Sequence, residues 1–269
     1  MALFDVHAHL TDRRLAADEA GVLARAAAAG VGTIISNGLN PEDNAAVAAL
    51  AARSPLVKPA FGLYPVDAVL PELLASGHSY PRDTEGEAPD FDVCYADLER
   101  RIEGAFAMGE VGLDHYWVPE ALWALQEERF RRLVRLALAA DKPLIVHTRK
   151  AEARALEVLL EEGAQRVVWH CFSAKVKLGE RIAAAGHWLS IPANAHKAEN
   201  FRLLLEKLPR DKVLLETDCP YLGPEKGALN EPANVAGTAA LAAQLWGASP
   251  EAALAQLGAN FEGLFRAAP

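Results

Sequence analysis

Two histidines one residue apart carry the first chemical signal in this chain. They lie in Asp5-Val6-His7-Ala8-His9, at the end of a short apolar run over Ala2–His7. On a β-strand, residues two apart share a face. His7 and His9 therefore point the same way and offer half of a metal site. A His-x-His pair alone is a weak signal, but metal-ligand types recur at the ends of other apolar runs. Glu110 closes Ala105–Glu110, His147 closes Pro143–His147, His170 closes Arg166–His170, and Asp218 follows Val213–Glu216. Buried charges are costly unless they are paired or bound to metal. Four imidazoles and two carboxylates exceed what a single catalytic zinc needs. They suit two divalent ions about 4 Å apart, bridged by a carboxylate. His7 and His9 would hold one ion, His147 and His170 the other, and Glu110 would bridge them. Asp218 would touch the first ion and take a proton from an attacking water. The mixed nitrogen and oxygen set suits Zn, Mn or Ni better than Ca, with Mg admissible at a weakly occupied site.

Those side chains need a scaffold that gathers strand ends on one side. Short β-branched runs alternate along the chain with longer Ala/Leu/Glu/Arg-rich runs, the pattern of parallel strands and crossover helices. The remaining strand candidates are Gly32–Ser36, Val57–Gly62 and His187–Ile191, giving eight. Eight strands predict an α/β fold, a (β/α)8 TIM barrel forming one domain over 1–269, with the active site at the C-terminal ends of the strands. Helices are predicted to begin near Ala17, Pro41, Tyr95, Pro119, Lys150, Lys175, Ala198 and Glu231, with a closing pair at Ser249–Leu257 and Asn260–Arg266. The Pro119–Ala140 helix is the clearest, with apolar residues at helical spacing. Ala75–Val93 is polar and rich in breakers, so it reads as a long loop after the third strand, either a lid over the catalytic face or a surface insertion.

Composition narrows the function classes. The 269 residues are 51% hydrophobic, enough for a large core, and no apolar run reaches membrane-spanning length. The formal net charge is -9, which counts against gripping long duplex DNA, though not against holding a strand end or small phosphate ester in a pocket. Cys94, Cys171 and Cys219 are odd in number and scattered, which points to a reducing cytoplasm. No secretory leader is evident at the N-terminus, and nothing indicates an obligate protein partner.

The chain also resembles the TatD family of metal-dependent deoxyribonucleases, within the amidohydrolase-like barrels. The matching stretches run almost end to end: Phe4–Leu10, Phe61–Pro65, Gly109–Asp114, His147–Arg149, His170–Ser173, Leu215–Leu222 and Asn230–Val235. The resemblance implies a (β/α)8 barrel with two divalent ions, and His7, His9, Glu110, His147, His170 and Asp218 as their ligands. It also implies cleavage of DNA from its 3′ end, while some relatives remove aminoacyl groups from tRNA. The chain departs from the family where many members carry Gly-x-His-Pro after the third strand; here the residues are Gly62-Leu63-Tyr64-Pro65. It also has Leu229 where members often carry a basic residue. Both departures fall on the substrate rim. The main function expected is therefore a divalent-metal-dependent 3′–5′ deoxyribonuclease acting on a single strand or 3′ end. A deacylase on the same barrel, acting for example on D-aminoacyl-tRNA, is the alternative.

Around that centre, Arg149 is expected to hold phosphate oxygens. Glu216 is expected to partner a ligand histidine. His115 and Tyr116 could reach a leaving group or stack on a base, or be ordinary loop residues. Tyr64 and Tyr221 could pack a base or sugar, or cap the rim. Lys150, Lys175 and Lys177 could meet phosphates or solvent. His78, His187 and His196 read as structural or exposed. Alternation would turn Cys171 into the core.

Overall fold

The structure is a computed structural model that describes residues 2–81 and 89–265. Its centre is one eight-stranded parallel sheet in sequence order. The strands are β1 (Leu3–Ala8), β2 (Val31–Asn37), β3 (Val57–Phe61), β4 (Ala107–Asp114), β5 (Leu144–Arg149), β6 (Val167–Trp169), β7 (Trp188–Ile191) and β8 (Val213–Leu215). The sheet curls until its edges meet just past β8. There Ala8 bridges Cys219 in parallel, His9 N–H donates to the Cys219 carbonyl, and Asp218 N–H donates to the His7 carbonyl. The α/β barrel expected from the eight apolar runs is therefore present.

Helices return the chain between strands. Pro41–Arg53 is the best specified at its start. Asn40 accepts from Asp43 N–H, Pro41 supplies a pre-set backbone angle, and two acids fill the first turn. A layer of Val6, Ile35, Ala60, Ala107, Ile145, Val168 and Leu214 packs inside the barrel against Phe261, Leu264 and Phe265 of the final helix. Phe4 stacks on Phe261 at 4.0 Å between centroids, so the floor is plugged and the opposite end stays open for the site. No helix among the described residues is long and apolar enough to cross a membrane.

Several boundaries differ from those read in the sequence. The expected closing pair of helices is one continuous helix, Pro250–Phe265, with Arg266 outside the described residues. Asn260, where the second helix was expected to begin, lies within this helix, and its side-chain amide donates to the Arg210 and Val213 carbonyls and ties the helix to β8. The predicted loop Ala75–Val93 is shorter at its far end. Asp90 caps a helix over Phe91–Arg101, accepting from Asp92 N–H, and Phe91 is buried under Arg129 and Arg132. Residues 82–88 of that stretch lie outside the described residues. A short helix over Leu70–Ala75, not read from the sequence, precedes it. Strand β4 runs four residues past its predicted end at Glu110, because Val111–Asp114 continue the pairing onto Val146–Arg149.

Candidate metal centre

Two irregular strands aim the site. Asp5 pairs with Ile34 and Ala8 with Ser36, so β1 holds one residue more than β2 over that span. The extra residue changes the phase of alternation. Val6 packs the barrel floor, and His7 still reaches the mouth beside His9. Strand β4 repeats the device. Met108 pairs with Leu144 and Val111 with Val146, with a cis peptide at Gly109–Glu110 inside the step. Ala107 packs the floor, and Glu110 emerges above it. Bulges beside active sites commonly re-aim a side chain in this way. Two glycines allow the neighbouring strands to close on β4. A Cβ on Gly62 would lie 2.3 Å from Glu110 N. A Cβ on Gly112, whose φ is +153°, would lie 1.9 Å from the His147 carbonyl oxygen.

The six expected ligands converge. His7 Nε2 and His9 Nε2 are 3.1 Å apart. Glu110 Oε2 is 3.5 Å from each of them. Asp218 Oδ1 is 3.7 Å from His7 and 3.5 Å from His9. The carboxylate contacts are longer than hydrogen bonds, which cluster at about 2.7–3.2 Å. They match the edge of a tetrahedron around an ion with bonds of about 2.1 Å, which is roughly 3.4 Å. The other oxygen of the same carboxylate, Glu110 Oε1, faces His147 Nδ1 at 2.7 Å and His170 Nε2 at 3.6 Å.

The rings are held from behind as metal-bound imidazoles usually are. His9 Nδ1 is 3.3 Å from the Asn37 carbonyl. His147 Nε2 is 3.2 Å from Asp114 Oδ2, and His170 Nδ1 is 3.2 Å from Glu216 Oε2. Each contact leaves the other ring nitrogen facing Glu110 or Asp218. His7 differs: its buried Nδ1 has no hydrogen-bond partner among the described residues, and its ring stacks on His170 at 3.6 Å. A set of imidazole nitrogens and carboxylate oxygens of this kind fits Zn, Mn or similar ions.

The electrostatics reflect the crowding. Burial would raise the Glu110 carboxyl, but His147 and His7 bond to it and hold it well below its usual range. Burial likewise opposes ionisation of Asp218, and the His9 bond with the charge of His170 and His7 lowers it overall. Burial would lower His9 and His147. Asp218 and Glu110 acting on the first, and Asp114 and Glu110 on the second, push both up to about 9. Those protons belong to the ion-free centre, and a cation bound there would displace them.

The other expected residues fall in three positions. Glu216, fully buried, bonds His170 and also accepts from Cys171 N–H, as a partner of a ligand histidine would. Tyr64 lies at the rim, its ring 5.0 Å from that of His147 and its hydroxyl 3.5 Å from Asp114. Tyr221 stands on the opposite rim, 6.4 Å from the His9 ring. Arg149 lies over the Tyr116 ring at 3.7 Å. His115 is turned aside, stacked on Trp123 at 4.0 Å. His187 is structural, accepting from Trp169 Nε1 and sitting 2.9 Å from the Ala164 carbonyl. Cys171 packs against the core as expected, though from a turn past β6 with φ +46° and not from a strand.

Sequence reading passed over Asp114. Its position, four past Glu110 on one face of a strand, was the available signal. Asp5 was also passed over. Buried in β1, it accepts from Thr217 N–H and from the Thr217 hydroxyl, tying β1 to the segment that carries Asp218.

An eight-stranded α/β barrel with buried histidines and carboxylates at the strand ends defines a metal-dependent hydrolase. Residues 4–266 match the family model described as TatD related DNase, and the chain belongs to that family. It is 31% identical over 255 residues to the deoxyribonuclease TATDN3 of Homo sapiens, covering 93% of this chain and 90% of the relative. It is 29% identical to the metal-dependent hydrolase YabD of Bacillus subtilis, covering 90% and 91%. The crystal structure of the TatD homolog YJJV from Escherichia coli superposes with a TM-score of 0.82 at 27% identity, over 99% and 98% of the two chains.

Proposed function

We propose that this hydrolase removes nucleotides from the 3′ end of DNA, using two divalent ions bridged by Glu110. The observation that carries the reading is the split of one carboxylate between two histidine pairs, Oε2 toward His7 and His9 and Oε1 toward His147 and His170. In this reading His7, His9 and Asp218 would hold one ion and His147 and His170 the other. Such ions supply Lewis acidity, lowering the pKa of water toward neutrality and polarising a phosphoryl oxygen. Asp218 then orients the attacking water and takes its proton on the carboxylate. It is kept ionised by His9 and His170, and its left-handed backbone, φ +56°, is one that Asp tolerates. Glu216 and Asp114 fix the rings of His170 and His147. Arg149, Tyr64, His115 and Tyr221 form the rim. Arg149 meets phosphate oxygens as negative charge spreads, Tyr64 and Tyr221 pack a sugar or base, and His115 supports the wall through Trp123.

The test uses chelator-treated protein and a 5′-labelled single strand, with Mg, Mn, Zn or Ni added back and a D-aminoacyl ester as control. Stepwise shortening only with metal is the expected result, and Asp218→Asn should lose roughly 10²–10⁴-fold in turnover while staying folded by circular dichroism. Release of the acyl group with an intact strand would overturn the nuclease reading in favour of a deacylase.

A further inference from the structure

Among the described residues, Tyr116 and Tyr221 are the two aromatic side chains left exposed, at 47% and 46%. Both stand at the barrel mouth, on opposite sides of the histidine centre. The Tyr221 ring lies 6.4 Å from that of His9. Tyr116 N–H donates to Asp114, whose other oxygen meets His147. Each ring carries a guanidinium: Arg14 lies 4.7 Å from the Tyr221 centroid and Arg149 3.7 Å from that of Tyr116. An exposed ring held by a cation is a prepared stacking surface, because its position is already fixed before a ligand arrives.

The two surfaces differ in charge. Arg14 is neutralised by Asp12 through two contacts, of 2.8 and 2.7 Å. Neither the Arg149 guanidinium nor the Lys150 ammonium has a carboxylate partner among the described residues; Lys150 Nζ is 4.8 Å from the Tyr116 centroid, and Lys150 meets the Glu152 carboxylate through its backbone N–H alone. One side therefore offers a ring with two uncompensated cations, the other a ring with almost none. Aromatic platforms stack unpaired bases, and cations beside them follow the backbone. A strand with phosphates continuing in one direction only would match that asymmetry.

We infer that Tyr116 with Arg149 and Lys150, and Tyr221 with Arg14, are two unequal stacking platforms that take the bases on either side of the scissile phosphate of a single nucleic-acid strand. The phosphate-bearing body of the strand lies over Tyr116, and its terminal nucleoside rests on Tyr221. This assignment rests on the nuclease reading above and adds to it the side chains that hold the base on each side of the cleaved bond.

The experiment compares kcat/KM for 3′-labelled oligothymidylate with that for methyl p-nitrophenyl phosphate, using the metal-loaded enzyme. Tyr116→Leu and Tyr221→Leu should each lower the preference for the oligonucleotide by roughly 5- to 150-fold, the range for losing one stacked base. Tyr116→Phe and Tyr221→Phe should restore it. The joint change Arg149→Ala and Lys150→Ala should flatten the salt dependence of KM by up to about 0.7 in log–log slope per lost phosphate contact, and Arg14→Ala should flatten it far less. Leucine variants that keep the wild-type preference, or phenylalanine variants that fall as far as leucine, would overturn the platforms while leaving the nuclease standing. A wild-type enzyme that shortens no strand with any metal would sink both.

Discussion

Asp114 shows how much one carboxylate can matter without touching the reacting atoms. Its Oδ2 lies 3.2 Å from His147 Nε2, and its Oδ1 accepts from the N–H groups of Tyr116 and Trp117. A charged acceptor behind an imidazole fixes the tautomer and raises the basicity of the forward nitrogen. Asp114→Asn keeps the shape and removes the charge. The expected outcome is a loss of roughly 10- to 100-fold in metal affinity or activity, seen in a titration of chelated protein as one weakened equivalent, with the other unchanged. Equal weakening of both equivalents would show that Asp114 supports the fold and not one histidine. Most of the side chains that converge at the mouth were legible because each closes an apolar run. Asp114 was not, because β4 was expected to stop at Glu110. Asn37 was missed for a different reason: it acts through its backbone carbonyl, which side-chain type does not reveal.

At the scale of elements, β1 and β4 decide where the ligands point, and both do so by breaking the period-two rule. Alternation alone puts His7 and His9 on one face, which is correct in outcome. It does not foresee that Val6 and His7 serve the same interior at different depths, since an inserted residue leaves no mark in hydrophobic periodicity. The glycines beside Glu110 were the readable trace of that crowding. Gly112 has no room for a side chain, with a Cβ 1.9 Å from the His147 carbonyl and φ +153°. Gly112→Ala should destabilise the barrel by on the order of 3 kcal/mol through steric and backbone strain and displace His147. A lowered Tm together with weaker metal binding is the expected pair. An unchanged Tm would mean that β4 and β5 separate at little cost.

Across the whole molecule, charge is sorted by location. The chain carries a net -9, and charges of both signs meet in surface networks such as Glu127 with Arg131 and Arg154, which joins the helices Trp123–Ala139 and Glu152–Glu161. Arg154 and Arg131 hold the Glu127 carboxyl down, to about 2 against an ordinary 4.5. A depressed acid stabilises the fold above its unfolded pKa, and the contribution disappears as pH falls through the folded value. Part of the acid-induced drop in Tm between about pH 4.5 and 2 should therefore vanish in Glu127→Gln. The effect should be modest because the network is partly exposed. A variant that follows the wild-type acid curve would remove the network from the account of stability.

The barrel seam has one more consequence. Asp5 and Thr217, hydrogen-bonded across it, are 212 residues apart in the chain, and the pocket beside that contact draws His7 and His9 from one side and Asp218 from the other. During synthesis the histidines leave the ribosome long before the aspartate does. For most of that interval the nascent polypeptide holds only part of the set of side chains that converge at the mouth. The last carboxylate joins them only with closure of the ring.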